Sequence, residues 1–147
     1  MRLTRIVISV LLFGLATSSV EAQSIKVRKE SARVKGGNLI GHEIDLEAQE
    51  KEVEEAFTKY LKSLGKVRQS DGVWVLTESS LQPGSKTPIY CSVKGHSSNA
   101  SAWMGINEEE WGDEYKSLNE TLEKTLHQFG VKFYRDKVQV EIDETER

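Results

Sequence analysis

Few side chains in this chain can do covalent, metal or proton chemistry, and their spacing scatters them. Cys91 is the one thiol of 147 residues, so it forms no internal disulfide and supplies no thiolate cage by itself. It alternates with Ile89 and Val93, which puts it on the apolar side of a strand and predicts a buried, inert sulfur. His42, Glu43 and Asp45 have metal-ligand chemistry, but on a strand His42 faces away from both acids and the three cannot converge on one ion. His96 falls in a turn and His127 on a helix, with no spacing that ties either to His42. Glu108, Glu109, Glu110, Asp113 and Glu114 crowd a helix start, where capping and the helix dipole account for them without acid–base catalysis. Ser79-Ser80 and Ser97-Ser98 lack the turn context of an activated nucleophile. Asn99-Ala-Ser and Asn119-Glu-Thr match the glycosylation acceptor pattern, which matters only in a eukaryotic secretory route. No catalytic residue, cofactor or metal ligand is assigned, and a non-enzymatic role is expected.

The informative residues are apolar. With Ile89, Cys91, Val93, Ala102, Met104, Ile106, Ile40 and Ile44 turned toward covering helices, Leu39, Trp74, Tyr90 and Trp103 are expected to share the opposite sheet face. An exposed aromatic face marks a contact with a partner protein or a second copy. Trp103→Ala is then expected to weaken association and leave the fold intact. The bland outcome is a second core, covered by a helix or by residues 81–88. A different reading is a small carrier, with an apolar cavity for a lipid-like ligand between the sheet and the C-terminal helix. Ile44, Met104, Leu122 and Phe129 would line it, and Gly41 and Gly105 would permit the sheet to curve.

The elements that position these residues follow from periodicity. Residues 25–34 and 39–46 read as two strands joined at Gly36-Gly37, with a bulge or break near Glu30-Ser31 to reconcile Ile25 and Val27 with Ala32 and Val34. Residues 48–64 carry Val53, Phe57, Tyr60, Leu61 and Leu64 as one helical stripe, with Gly65 at its end. Strands follow at 73–77, 89–94 and 101–106, the last two a hairpin through the Gly-, Ser- and Asn-rich turn at 95–99. Both prolines fall in 81–88, a crossing loop or an edge. Asn107 and Glu110 have capping-box spacing before a long helix on which Trp111, Tyr115, Leu118, Leu122, Leu126, Phe129 and Phe133 recur every three or four residues. The stripe crosses Gly130, which favours a helix reaching at least Arg135. The competing pattern makes residues 131–142 a last strand, because Val138, Val140 and Ile142 alternate. The expected fold is α+β, in the order ββαβββα: an antiparallel sheet of about five strands packed on one face by two helices, the C-terminal one longer.

Residues 1–22 have the three parts of a cleavable signal peptide. Arg2 and Arg5 are followed by an apolar run over 6–15 and then by Val20-Glu21-Ala22 before Gln23. The expected location is exported, periplasmic or secreted, with residues 23–147 a single domain ending in a frayed tail at 144–147. Removing Arg2, Arg5 and Glu21 from 20 basic and 23 acidic side chains leaves 18 against 22. That acidic balance argues against a nucleic-acid partner. After cleavage no apolar run approaches the ~20 residues of a membrane span.

The run from Val53 to Lys62, then Gly65-Lys66-Val67, then Ile89-Tyr90-Cys91-Ser92-Val93 and the Trp103 strand resembles a group of small exported envelope proteins of Bacteroidetes-type bacteria. The resemblance spans most of residues 23–147. It implies an envelope location and an α+β domain, and carries over no activity and no functional residue. The chain departs from that group at Gly130 and at the Val138/Val140/Ile142 alternation, where an uninterrupted charged helix is expected.

Overall fold

A computed structural model of the chain describes residues 25–146; the expected signal segment lies outside them. The strands are β1 (Arg28–Val34), β2 (Gly37–Leu46), β3 (Lys66–Ser70), β4 (Val73–Thr77), β5 (Ile89–Gly95) and β6 (Ala100–Ile106). They form one antiparallel sheet in the order β1-β2-β6-β5-β4-β3. Helix α1 (Glu50–Leu64) carries the chain from β2 to the far edge at β3. After β6 come a short helix α2 (Glu108–Trp111), one 3-10 turn and the long helix α3 (Tyr115–Thr145). Both α1 and α3 lie on the same sheet face, α3 over β2 and β6 and α1 over β6, β5 and β3. The architecture is the expected α+β layer, with six strands in place of about five. The added strand, β3, carries only Val67 among polar neighbours, so no alternation announced it; pairing with β4 creates it.

The β1–β2 register runs one to one from Arg28↔Glu43 to Val34↔Gly37, so there is no bulge at Glu30-Ser31. The opposite parities need no bulge, because Ile25 and Val27 pack against the main core while Ala32 and Val34 pack with Leu39 and Trp103 on the other sheet face. The turn residues are Lys35 and Gly36, with φ of 50° and 80°, rather than Gly36-Gly37. Two left-handed residues in succession match the twist of a tight hairpin.

The main core joins the inner sheet face to one stripe from each helix. It holds Ile44, Leu46, Leu76, Ile89, Cys91, Met104 and Ile106 from the sheet, Val53, Phe57 and Leu61 from α1, and Leu118, Leu122, Leu126 and Phe129 from α3. Gly130 lies within α3, where glycine costs about 1 kcal/mol relative to alanine. A Cβ there would stand 2.9 Å from Ile25 Cγ2 and 3.3 Å from Ile44 Cδ1, so the missing side chain lets the helix settle onto the sheet. The alternation at 131–142 therefore belongs to a helix, and residues 115–145 are helical throughout. The expected single capped helix is instead broken at Gly112, with φ of 55°, and the Asn107 side chain accepts from the Glu109 N–H.

At 1.5 Å per residue, 31 residues span about 46 Å, while a seven-residue strand spans about 23 Å. One end of α3 must overshoot the sheet. Phe133 is its last buried residue, and Val138, Val140 and Ile142 are exposed. Among the described residues no helix is long and apolar enough to cross a membrane.

Candidate functional site

The outer sheet face differs from its expected form in two ways. Trp74 pairs with Cys91 and Leu76 with Ile89, so Trp74 points to the helix side and borders α1 with Glu54, Glu55, Thr58, Lys59 and Lys62. The loop of residues 78–88 separates β4 from β5, and alternation alone cannot carry a phase across it. Trp103 is on the outer face as expected, yet only 3% exposed, and Leu39 is 4% exposed.

The burial of Trp103 has a local cause. Gly41 and Gly105 are direct cross-strand partners, leaving a lane without side chains, and the indole lies in it. A Cβ at Gly41 would stand 2.7 Å from Trp103 Nε1, and one at Gly105 would overlap the six-membered ring. The Nε1–H donates to the Glu30 carbonyl of β1 at 2.8 Å. Val34, Leu39 and Trp103 form a small second core, with Ala32, Val73 and Tyr90 beside it. Tyr90 donates its hydroxyl to Glu110 Oε1 at 3.1 Å; burial first, then the Glu110 charge, raise its pKa. Of Leu39, Trp74, Tyr90 and Trp103, the molecule turns one away and closes two in.

A polar cluster at one edge joins residues far apart in sequence. Arg28 binds Glu43 and reaches Asp45 Oδ2 at 2.5 Å. Ser101 Oγ lies 2.5 Å from Asp45 Oδ1 and 3.3 Å from His96 Nε2. This assembles serine, histidine and aspartate, but in the wrong order for nucleophilic catalysis. The carboxylate only accepts, so the Ser101 proton goes to Asp45 and His96 must donate to Ser101 instead of activating it. The hydrogen bond from Arg28 holds the Asp45 carboxyl below its ordinary range, with Ser101 adding to it. Ser101 is 2% exposed, which leaves no approach for a substrate.

His42 is on the other face, as alternation requires. It is buried, with Nε2 3.1 Å from Asn119 Oδ1 of α3 and Nδ1 unpartnered. Asn119, half-buried, is thereby engaged by the imidazole. No group of three or more His, Cys, Asp or Glu side chains among the described residues stands close enough to hold a metal. Cys91 is fully buried, and desolvation pushes its thiol far above the ordinary range.

The cavity residues expected under α3 are packed rather than open. Ile44, Met104 and Leu122 have no exposed surface and belong to the continuous core. Phe129 differs, since it also lines a groove of about 350 Å³ between α1 and α3. One wall is Glu52, Ala56, Lys59, Tyr60 and Ser63 of α1; the other is Phe129, Lys132, Phe133, Asp136, Lys137 and Val140 of α3. Spacings of three and four make each wall one helical stripe. The floor is aromatic, with ring centroids 5.3 Å apart for Tyr60–Phe129 and 6.1 Å for Phe129–Phe133. Burial pushes the Tyr60 phenol above its ordinary pKa.

Around this floor the rim is charged. Lys132 Nζ pairs with Asp136 at 2.6 Å, and Lys137 Nζ lies 3.8 Å from Glu52. Phe133 is core and Tyr60 packs against it, as their stripes predict, while Ala56 lies off the α1 stripe and is the wall residue that periodicity leaves out. The available signal was a second α1 stripe, Ala56-Tyr60-Ser63, beside the core line Val53-Phe57-Leu61. Grooves of comparable size lie beside Trp74, beside His127 and under residues 78–86, but polar and charged side chains dominate their linings. Compared with family models, curated proteins and solved structures, the chain matches none.

Proposed function

We propose that this chain is a non-enzymatic, exported binding protein that takes the apolar chain of a small lipid-like ligand into the groove between α1 and α3. The observation that carries the reading is the pair of helical stripes, Ala56/Tyr60 and Phe129/Phe133/Val140, which leave an apolar slot open between them. Its volume of about 350 Å³ lies at the small end of ligand sites. A docked helix is about 10–12 Å across with its side chains, so a volume of about 350 Å³ suits one acyl chain better than a protein segment. Export rests on the pattern of residues 1–22 and is part of the proposal.

Calorimetric titration of the purified protein with decan-1-ol tests the reading. Saturable binding is expected in the native chain, with at least a tenfold loss in Ala56→Trp, whose indole would fill the slot. Equal binding by native chain and variant would place the ligand elsewhere and defeat the reading.

A further inference from the structure

The groove has donors as well as an apolar floor, and they are not all committed. Three lysines and two carboxylates line it, on a chain whose formal net charge is −3. Both carboxylates already face a lysine, Asp136 with Lys132 and Glu52 with Lys137. Lys59 stands on the α1 rim, between this groove and the one that holds Glu54 and Glu55, and no carboxylate of the described residues lies within 4.0 Å of its ammonium. The neighbouring Tyr60 stacks on Phe129, and its hydroxyl makes no hydrogen bond to another described residue. An ammonium and a phenol hydroxyl, adjacent in sequence on one helix, both donate, and no acceptor in the groove answers them.

We infer that the ligand is an anionic amphiphile, a free single-chain monocarboxylate, with its chain along Ala56, Phe129, Phe133 and Val140 and its carboxylate held by Lys59 Nζ and Tyr60 Oη. This rests on the groove being the binding surface and deepens that reading. A carboxylate fits the arrangement because it has two accepting oxygens for two donors and a charge opposite to the surplus lysine. The partly desolvated setting of Tyr60 strengthens such a hydrogen bond relative to one made in open water. A cationic head would meet Lys59 with like charge, and both groove carboxylates already face lysines. A neutral head would leave that charge unanswered.

The test compares three ten-carbon probes, decanoate, decan-1-ol and decyltrimethylammonium, at pH 7.5 and low salt, by calorimetry on the native chain, Lys59→Met and Tyr60→Phe. Expected is decanoate binding about tenfold tighter than decanol, with decyltrimethylammonium weakest. Lys59→Met should abolish the preference for decanoate over decanol. Tyr60→Phe should weaken decanoate severalfold and decanol little. Far-ultraviolet circular dichroism and thermal melts of both variants should match the native chain, because Lys59 is exposed and the Tyr60 ring is retained. Equal affinity for decanoate and decanol, or a decanoate preference that survives Lys59→Met, overturns the head-group inference and leaves the apolar groove standing. Absence of binding by all three probes overturns both.

Discussion

Replacing Trp103 by alanine tests how the outer sheet face is built. From sequence the residue is expected to serve association, so its loss would leave the fold intact. The structure requires the reverse. The indole is 3% exposed and fills the lane over Gly41 and Gly105, and a buried Trp→Ala change costs about 3–5 kcal/mol. The lost hydrogen bond to the Glu30 carbonyl adds about 1 kcal/mol. Set against a total stability of about 5–15 kcal/mol, this is a severe loss. For a domain of this size it lowers the melting temperature by roughly 10–20 °C.

The assay is urea unfolding followed by circular dichroism, with the slope checked for constancy. A double-mutant cycle makes the argument specific. Gly105→Ala alone should cost about 2 kcal/mol or more, because its methyl collides with the indole. In the Trp103→Ala background that collision is gone and the same change should cost less, while the 3.0 Å approach to the Ile40 carbonyl remains. A Trp103→Ala loss below about 1 kcal/mol, or strict additivity with Gly105→Ala, would refute the packing argument.

Other expectations follow from the same geometry. Cys91 is fully buried with its thiol pushed high, so a thiol reagent should label it only as fast as the chain unfolds; rapid stoichiometric labelling of the native protein would contradict its burial. Asp45 has its carboxyl pKa lowered from 3.8 by Arg28 and then Ser101, so its contribution is complete above that value and is lost as pH falls through the lowered one. The stability gap between native chain and Asp45→Asn should therefore be less than about 1 kcal/mol, since the pair is half exposed, and should shrink below pH 3.8 in acid-unfolding curves. Among the described residues, truncation after Val140 removes only exposed ones, and urea midpoints should place its cost within about 0.5 kcal/mol.

Local patterns in the chain carried much of the fold. The stripes of α1 and α3 were visible because each continues for several turns at helical spacing, and Cys91 was placed by its two strand neighbours. Three features depended on contacts between distant segments and had no local signature. The phase of Trp74 is set by pairing with Cys91 across the loop of residues 78–88. The burial of Trp103 needs Gly41 and Gly105 opposite each other, a fact of register rather than of either strand. The groove needs two helices, 60 and more residues apart in sequence, each carrying apolar residues beside the stripe that meets the sheet. Phe133 is core as its stripe predicts, and Tyr60 is packed against that core; that both also line a groove follows only from the way α1 and α3 lie side by side.

The most direct test of the central claim is an amide correlation spectrum of the isotope-labelled protein titrated with decanoate. Saturable shifts are expected in Ala56, Lys59, Tyr60 and Ser63 and in Phe129, Lys132, Phe133 and Val140, with β1 and the outer sheet face unmoved. Shifts centred on Tyr90, Val73 and Arg68, or a spectrum unchanged at millimolar decanoate, would contradict that claim.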